Sequence, residues 1–291
     1  MRFSVVIATL RRPELLRETL ASVVATVPPP REIVVVDGDE AGSAREVVES
    51  ISAPAGTLVS YVAGVPNVTH QRNEGTRVAS GDVVVFVDDD VELDTRFFAA
   101  LSAAYEDPKV VGATGRVIEP QAHRVGDHRS RVRRWLLSGG RLGTFTTFGY
   151  PRYILDTTRA QDLEMMPGCL MTARRELALA VGFDESLEGY ALAEDEDFSY
   201  RLSRHGRIRF DPAVSLWHKK LGFGERDPRA FHRKVVVNRA YLFRKNFPQT
   251  IRARTRFVLL ILLMITHRVA NRDAQGARGL LEGSVEAWRR R

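Results

Sequence analysis

The chain has 291 residues, 44% of them hydrophobic and 27% charged, with 22 glycines, 13 prolines and one cysteine, Cys169. That composition supports one large domain, or a domain with an appendage, and excludes disordered, collagen-like and disulfide-scaffold classes; a lone cysteine cannot close an internal disulfide, so a reducing compartment is expected. The net charge of +7 hides an asymmetry: residues 1–200 carry 21 Lys/Arg against 30 Asp/Glu (net −9), and residues 201–291 carry 22 against 6 (net +16), which points to an acidic body and a basic end facing nucleic acid or an anionic membrane.

The N-terminal apolar run is cut off by Arg11 and Arg12 and lacks a small-residue cleavage site, so no secretory signal is expected. Phe3–Ala8 reads as a buried strand, and Pro13 opens a helical pattern through Leu15, Leu16, Leu20 and Val23 that the prolines at 28–30 end. Ile33–Val36, Leu58–Ala63 and Val83–Val87 read as further strands, with helices from Ser43 to about Ser50 and from near Pro66 to Gly81. Continuous rather than alternating apolar runs belong to strands covered on both faces, so an α/β, doubly wound, mainly parallel sheet with helices on both sides is expected. From Glu119 to about Arg159 periodicity is lost, apart from the cluster Trp135–Leu137, and a functional loop is the expectation. Periodicity resumes with Leu163–Met166 and Leu170–Thr172 and with helices near Arg174–Val181 and Asp195–His205, and short strands then fit Ile208–Phe210 and Val214–Trp217. From Pro228 onward the chain reads as two or three basic helices. The expected organisation is a domain over 1–225, divided at 118/119 into a nucleotide-binding and an acceptor half, and a basic helical region over 226–291.

Three of the four N-terminal strands end in polar groups: Thr9, Asp37 and Asp88-Asp89-Asp90. In open parallel sheets ligands bind beyond the carboxyl ends of the strands, so these residues should converge. Three adjacent carboxylates repel and are not expected to find enough relief within the chain. A Mg²⁺ or Mn²⁺ ion bound with a diphosphate would resolve them, the plain alternative being a solvated acidic turn capping the next helix.

The order Ser4-Val-Val-Ile-Ala-Thr9, Arg12-Pro13-Glu14-Leu15-Leu16, Ile33-Val-Val-Val-Asp37, Gln71-Arg72-Asn73-Glu74-Gly75, Ala79-Ser80-Gly81-Asp82, Val83–Asp90 and Glu194-Asp195-Glu196-Asp197-Phe198 resembles the family 2 glycosyltransferases, inverting enzymes of the GT-A fold, over roughly residues 3–220. The resemblance implies that Thr9 and Asp37 contact the base and ribose of a nucleotide-diphospho-sugar donor and that Arg72 lies beside the nucleotide. It also implies that Asp88 and Asp89 hold the ribose and metal-bound water, and that Asp90 ligates a divalent cation. Asp195 would be the base that takes the acceptor hydroxyl's proton, with Glu194 its neighbour in the acceptor pocket, while Glu196 and Asp197 read as helix charges, Asp197 pairing with Arg201. Asp195 falls in the first turn of its helix, where the dipole favours the ionised form. His218, after the last strand, would be a further metal ligand by analogy, although Lys219 and Lys220 adjoin it. Met165–Cys169 resembles the segment beneath the donor sugar, with Cys169 a small core residue. Ala8-Thr9-Leu10-Arg11 and Asp37-Gly38-Asp39-Glu40 depart from the family's usual Pro-x-Tyr-Asn and Asp-Asn-Gly-Ser, which leaves the nucleotide base unassigned.

Phe257–Ile265 is a run of nine apolar residues, about 14 Å as a helix and too short to span a hydrocarbon core. With Arg252, Arg254 and Arg256 before it and Arg268 and Arg272 after it, the 250–291 segment reads as attachment to an anionic membrane surface; packing on the body or against a second subunit is the alternative, and no specific nucleic-acid motif is present. The expected location is cytoplasmic, peripheral on the cytoplasmic face of the cell membrane. The acceptor expected beside such a surface is a lipid-linked or cell-envelope glycan. A non-catalytic nucleotide- or glycan-binding relative is the alternative function. A sugar nucleotidylyltransferase is disfavoured because Thr9–Glu14 contains no glycine for a phosphate loop.

Overall fold

The apolar runs become buried parallel strands because each is covered on both sides. Phe3–Thr9 (β1), Glu32–Asp37 (β2), Leu58–Ala63 (β3) and Val83–Val87 (β4) stand in the order β3-β2-β1-β4, all parallel. β1, β2 and β4 are buried at nearly every residue, and only β3, at the sheet edge, is half-buried. Helices Pro13–Val24 (α1), Arg45–Ser50 (α2) and Val68–Val78 (α3) connect them. Asn67 caps α3 by accepting from the Thr69 amide, so the helix starts two residues after Pro66. A Cβ at Gly75 would come within 2.3 Å of Val6 Cγ1, so the glycine of the Gln71–Gly75 element lets α3 lie against β1.

The computed structural model describes residues 1–119, 139–152, 158–187, 191–219 and 227–289. The Trp135–Leu137 cluster, Lys220 and part of the 119–159 segment expected as a functional loop lie outside the described residues.

The sheet continues through Val91–Leu93 (β5), Val110–Ile118 (β6), Gln161–Leu163 (β7), Leu170–Arg174 (β8) and Arg207–His218 (β9), in the order β4-β8-β6-β9-β5 with β7 also on β9. β8 runs antiparallel to β4 and β6, β5 and β7 run antiparallel to β9, and β6 and β9 are parallel. Phe97–Ala104 (α4), Arg175–Val181 (α5) and Glu194–Leu202 (α6) complete this half. The two short strands expected at 208–210 and 214–217 are one strand. Its register against β6 shifts between Thr114 and Arg116, where Pro212 has no amide to give the ladder. Gly115 permits this bulge, because a Cβ there would sit 1.8 Å from the Val214 carbonyl oxygen.

Two compact units result, Met1–His123 with Asp156–Leu221, and Arg124–Leu155 with Gly222–Arg291. In the first unit one core unites the apolar faces of β1, β2 and β4 with Leu16, Leu20, Phe97, Phe98, Leu101 and Leu216.

In the second unit Pro228–Asn246 (α7), Ile251–Ala270 (α8) and Ala274–Arg289 (α9) pack around Val236, Ile261 and Leu280. Phe243 stacks on Phe257 with centroids 4.8 Å apart. Arg229 pairs with Glu282, and Arg233 with Glu286 at 2.6 Å. The nine-residue apolar run is the middle of the 20-residue α8, and no helix among the described residues is long and apolar enough to cross a membrane.

Candidate active site

The carboxyl ends of β1, β2 and β4 meet as the parallel order requires. Gln71, on α3, ties the first two together by donating to the carbonyls of Thr9 and Val36, each at 2.8 Å. Asp37 is wholly buried and accepts from the amides of Asp39 and Ala44, both at 2.9 Å, and from the Tyr61 hydroxyl at 3.3 Å. Its carboxylate thus shapes the loop after β2. Thr9, also buried, donates to Asp89 Oδ2 at 2.7 Å.

Asp88, Asp89 and Asp90 do find relief within the chain, against the expectation from sequence. Arg12 Nη1 donates to Asp89 Oδ1 at 2.6 Å and lies 3.7 Å from Asp90 Oδ2; Arg72 Nη2 donates to Asp88 Oδ1 at 3.1 Å; His218 Nε2 lies 3.2 Å from Asp90 Oδ1. These cations come from α3 and from points 77 residues before and 128 residues after the acids, separations that sequence spacing cannot register. The register of β5 on β9 brings His218 in: Val91 pairs with His218, and the Lys219 amide donates to the Asp90 carbonyl at 3.0 Å. The three-residue β5 was not foreseen. Thr19, on α1, adds a brace by donating to the carbonyls of Asp89 and Val91.

The charges are unevenly held. Burial pushes Asp89 up despite Thr9 and Arg12. Burial acts the same way on Asp90, but the hydrogen bond and charge of His218, with Arg12, hold it below the usual carboxylate range. Burial opposes the charge on His218, yet hydrogen bonding to Asp90 and Cys169 pushes its pKa up to about 11. His218 Nδ1 lies 3.4 Å from Glu119 Oε1. Cys169 is buried and its thiol is pushed up by that burial, as befits a core residue rather than a nucleophile.

Ligand atoms of Asp88, Asp90 and His218 all lie within 4.8 Å of one another, a spacing that could hold a metal ion. Two carboxylates and an imidazole suit Mn²⁺, and tolerate Mg²⁺, provided that His218 gives up its proton as the ion binds. Asp89 stands apart from that set, its two oxygens taken by Thr9 and Arg12.

Glu194 and Asp195 open α6. The two residues flanking Leu192, Ala191 and Ala193, have φ of 43° and 72°, left-handed backbone that an alanine adopts at a cost and that recurs at functional sites. Asp195 Oδ2 accepts from the Gly168 amide at 3.1 Å and Oδ1 from the Glu196 amide at 2.8 Å. Arg72, only 3% exposed at its side chain, donates from Nη1 to Glu194 at 3.0 Å and from Nη2 to the Gly168 carbonyl at 2.9 Å. One guanidinium therefore joins the Asp88 cluster, the Met165–Cys169 segment and the Glu194–Asp195 pair. Asp197 pairs with Arg201 at 2.6 Å, as the i+4 spacing predicts.

The helix dipole does not decide the state of Asp195. Burial, reinforced by the charges of Glu194 and Glu196, raises it well above the ordinary aspartate value, and burial raises Glu194 too despite Arg72. A carboxyl whose pKa is raised by burial is a better proton acceptor once ionised.

Arg12, Gln71 and Thr19 were not singled out for these roles. Arg12 and Gln71 lie in quoted elements, but only the tertiary structure supplies their partners.

The sequence matches glycosyl transferase family 2 over residues 4–180. A glucosyl-dolichyl phosphate glucuronosyltransferase of Haloferax volcanii is 29% identical over 145 residues, 47% of this chain and 45% of that protein. Among solved structures, GalNAc-T7 with UDP, GalNAc and Mn²⁺ aligns over 81% of this chain and 48% of its own, with 21% identity and a TM-score of 0.60. The mannosyltransferase PcManGT of Pyrobaculum calidifontis, in complex with GDP-Man and Mn²⁺, aligns over 99% and 87%, with 15% identity and a TM-score of 0.59. The chain thus spans about half the length of the Haloferax protein and of GalNAc-T7. The α/β sheet is of the GT-A type that these structures share.

Proposed function

The chain belongs to glycosyl transferase family 2, and from that premise we propose that it moves a sugar from a nucleotide-diphosphate donor to an acceptor hydroxyl with inversion at the anomeric carbon. The carrying observation is the single buried guanidinium of Arg72 that links the Asp88–Asp90–His218 cluster to Glu194–Asp195. Asp90, His218 and Asp88 would hold a divalent cation, Mn²⁺ or Mg²⁺, which when bound supplies positive charge for the departing diphosphate. Thr9 and Asp37 build the donor side of the crevice, and Asp89 fixes Thr9 and Arg12 there. Asp195 takes the hydroxyl proton as the acceptor oxygen bonds to the anomeric carbon, and the diphosphate leaves with the electron pair of the broken bond. Glu194 lines the acceptor side.

The Haloferax relative, named for a dolichyl phosphate-linked sugar, supports a lipid-linked acceptor. We include in this reading attachment of residues 250–291 to an anionic membrane surface, on the cytoplasmic face of the cell membrane. The 1–118 and 119–225 halves would then serve donor and acceptor respectively.

Calorimetric titration with Mn²⁺ and a panel of nucleoside diphosphates, followed by product detection with lipid-linked acceptors, tests this reading. Cation-dependent nucleotide binding with turnover is expected; binding without turnover on any acceptor would favour the non-catalytic relative, and no binding would refute both. Arg12→Gln in the same titration should bind Mn²⁺ more tightly than the native chain when nucleotide is absent. Its guanidinium lies 3.7 Å from Asp90 Oδ2 and would repel a cation held there. Weaker Mn²⁺ binding by that variant would show that Arg12 serves only to hold the triad in place.

A further inference from the structure

Helix α8 is apolar on two opposite faces, and its own unit uses only one of them. Ala253, Leu260 and Ile261 are buried, with Phe257 and Met264 packed beside them on α7 and α9. On the other side Ile251, Val258, Leu262 and Val269 are 84%, 56%, 51% and 61% exposed. At about 100° per residue these four fall within an arc of about 40°, a stripe running nearly the helix's full length. Arg254 lies exposed on one flank of the stripe and Arg252 on the other. On α9 the exposed Leu281, Val285 and Trp288 form a second short ridge at helical spacing.

Two occupants could cover such a stripe, a second copy of the chain or a lipid surface, and the charges discriminate between them. Helix α8 contains Arg252, Arg254, Arg256 and Arg268 and no Asp or Glu. The acids nearest in sequence are already engaged: Asp273 lies 3.3 Å from Arg268, Glu282 pairs with Arg229, and Glu286 pairs with Arg233. A second copy would bring the same arginines against this face with no acid of α8 to meet them. An anionic bilayer offers the apolar layer that the stripe needs and the negative headgroups that its flanks need.

We propose that the outer face of α8 is the lipid-contacting face. Its apolar stripe lies in the boundary between headgroups and acyl chains, and Arg252 and Arg254 lie among anionic headgroups. The inference deepens the membrane attachment included in the proposed function and rests on it, while requiring nothing of the transfer chemistry. It also explains how a helix too polar to span, with arginines in its first two turns, leaves so much apolar surface uncovered.

The test is sedimentation of the full chain with vesicles of phosphatidylcholine alone or mixed with phosphatidylglycerol, beside the variant carrying V258E and L262E and the variant carrying R252Q and R254Q. Both pairs are exposed, so circular dichroism and thermal unfolding should match the native chain. The native chain should bind the anionic vesicles and lose that binding in high salt. V258E with L262E should weaken it by at least about tenfold, and R252Q with R254Q by a similar factor. If the native chain binds but the V258E/L262E variant binds equally well, the attachment stands and this face is the wrong one. If the native chain ignores anionic vesicles, the attachment itself is refuted. A concentration-dependent dimer that V258E and L262E dissociate, seen by analytical ultracentrifugation, would assign the face to a second copy and overturn the proposal.

Discussion

Asp195→Asn should cut the transfer rate by about 10²–10⁴-fold, the usual contribution of a positioned general base, while leaving donor binding intact. The side chain keeps nearly the same shape, and one of its two backbone contacts, with the Gly168 or the Glu196 amide, can still be accepted by the remaining carbonyl oxygen. What disappears is the capacity to take a proton. Burial and the neighbouring Glu194 and Glu196 raise Asp195 well above the ordinary aspartate value. The sign for activity follows: the free enzyme's base stays protonated as pH rises through the normal carboxylate range and becomes competent only above it. The acid limb of kcat/KM should therefore lie above about pH 4, where an unperturbed aspartate would place it. Glu194→Gln, by removing the nearest like charge, should move that limb to lower pH. Steady-state kinetics over a pH series checks both. A near-native rate in the Asn variant would sink the assignment, and a limb unmoved by Glu194→Gln would remove Glu194 from the causes of the shift and leave burial and Glu196.

Arg72→Ala should cost about 3–5 kcal/mol of unfolding free energy, because removing one partner of a buried ion pair leaves the others charged and unpaired. Its side chain is only 3% exposed, and Glu194, 14% exposed, has no other salt-bridge partner among the described residues. Asp88, at 34%, keeps some access to water, which places the cost toward the lower end. Arg72→Lys should recover part of the stability and little of the activity. An ammonium restores the charge, but it cannot span Glu194, Asp88 and the Gly168 carbonyl as the planar guanidinium does. Urea denaturation of the three proteins measures the first effect, and donor KM against kcat separates the second. An Ala variant as stable as the native chain would mean that the Arg72 pairs contribute nothing net.

Much of the first unit was legible because its signals are local. Continuous, largely β-branched runs at 3–9, 32–37 and 83–87 read as strands covered on both faces, and Asp197 finds Arg201 one turn along α6. Less legible were contacts that depend on pairing between distant strands. Val91–Leu93 is too short to announce itself, yet its register on β9 is what sets Asp90 beside His218. The bend that turns two expected strands into one depends on Gly115 facing the Val214 carbonyl, a proximity with no trace in either segment alone. Helix α8 was visible as an apolar run, but which of its faces is covered follows from how α7 and α9 pack on it.

The sequence by itself determined the parallel core, the order of the acidic and basic elements and the family, because strand burial and motif order are properties of local pattern. The tertiary structure alone decided how the charges are shared. From sequence, Asp88, Asp89 and Asp90 looked like a cluster to be neutralised by an external cation or left to solvent as an acidic turn. In the folded chain Arg12, Arg72 and His218 reach them across long sequence separations. Asp195 looked like an ionised first-turn residue, but desolvation beside Glu194 and Glu196 outweighs the helix terminus. Both differences have one physical reason: burial and charge pairing depend on distances in space, and a linear pattern records only distances along the chain.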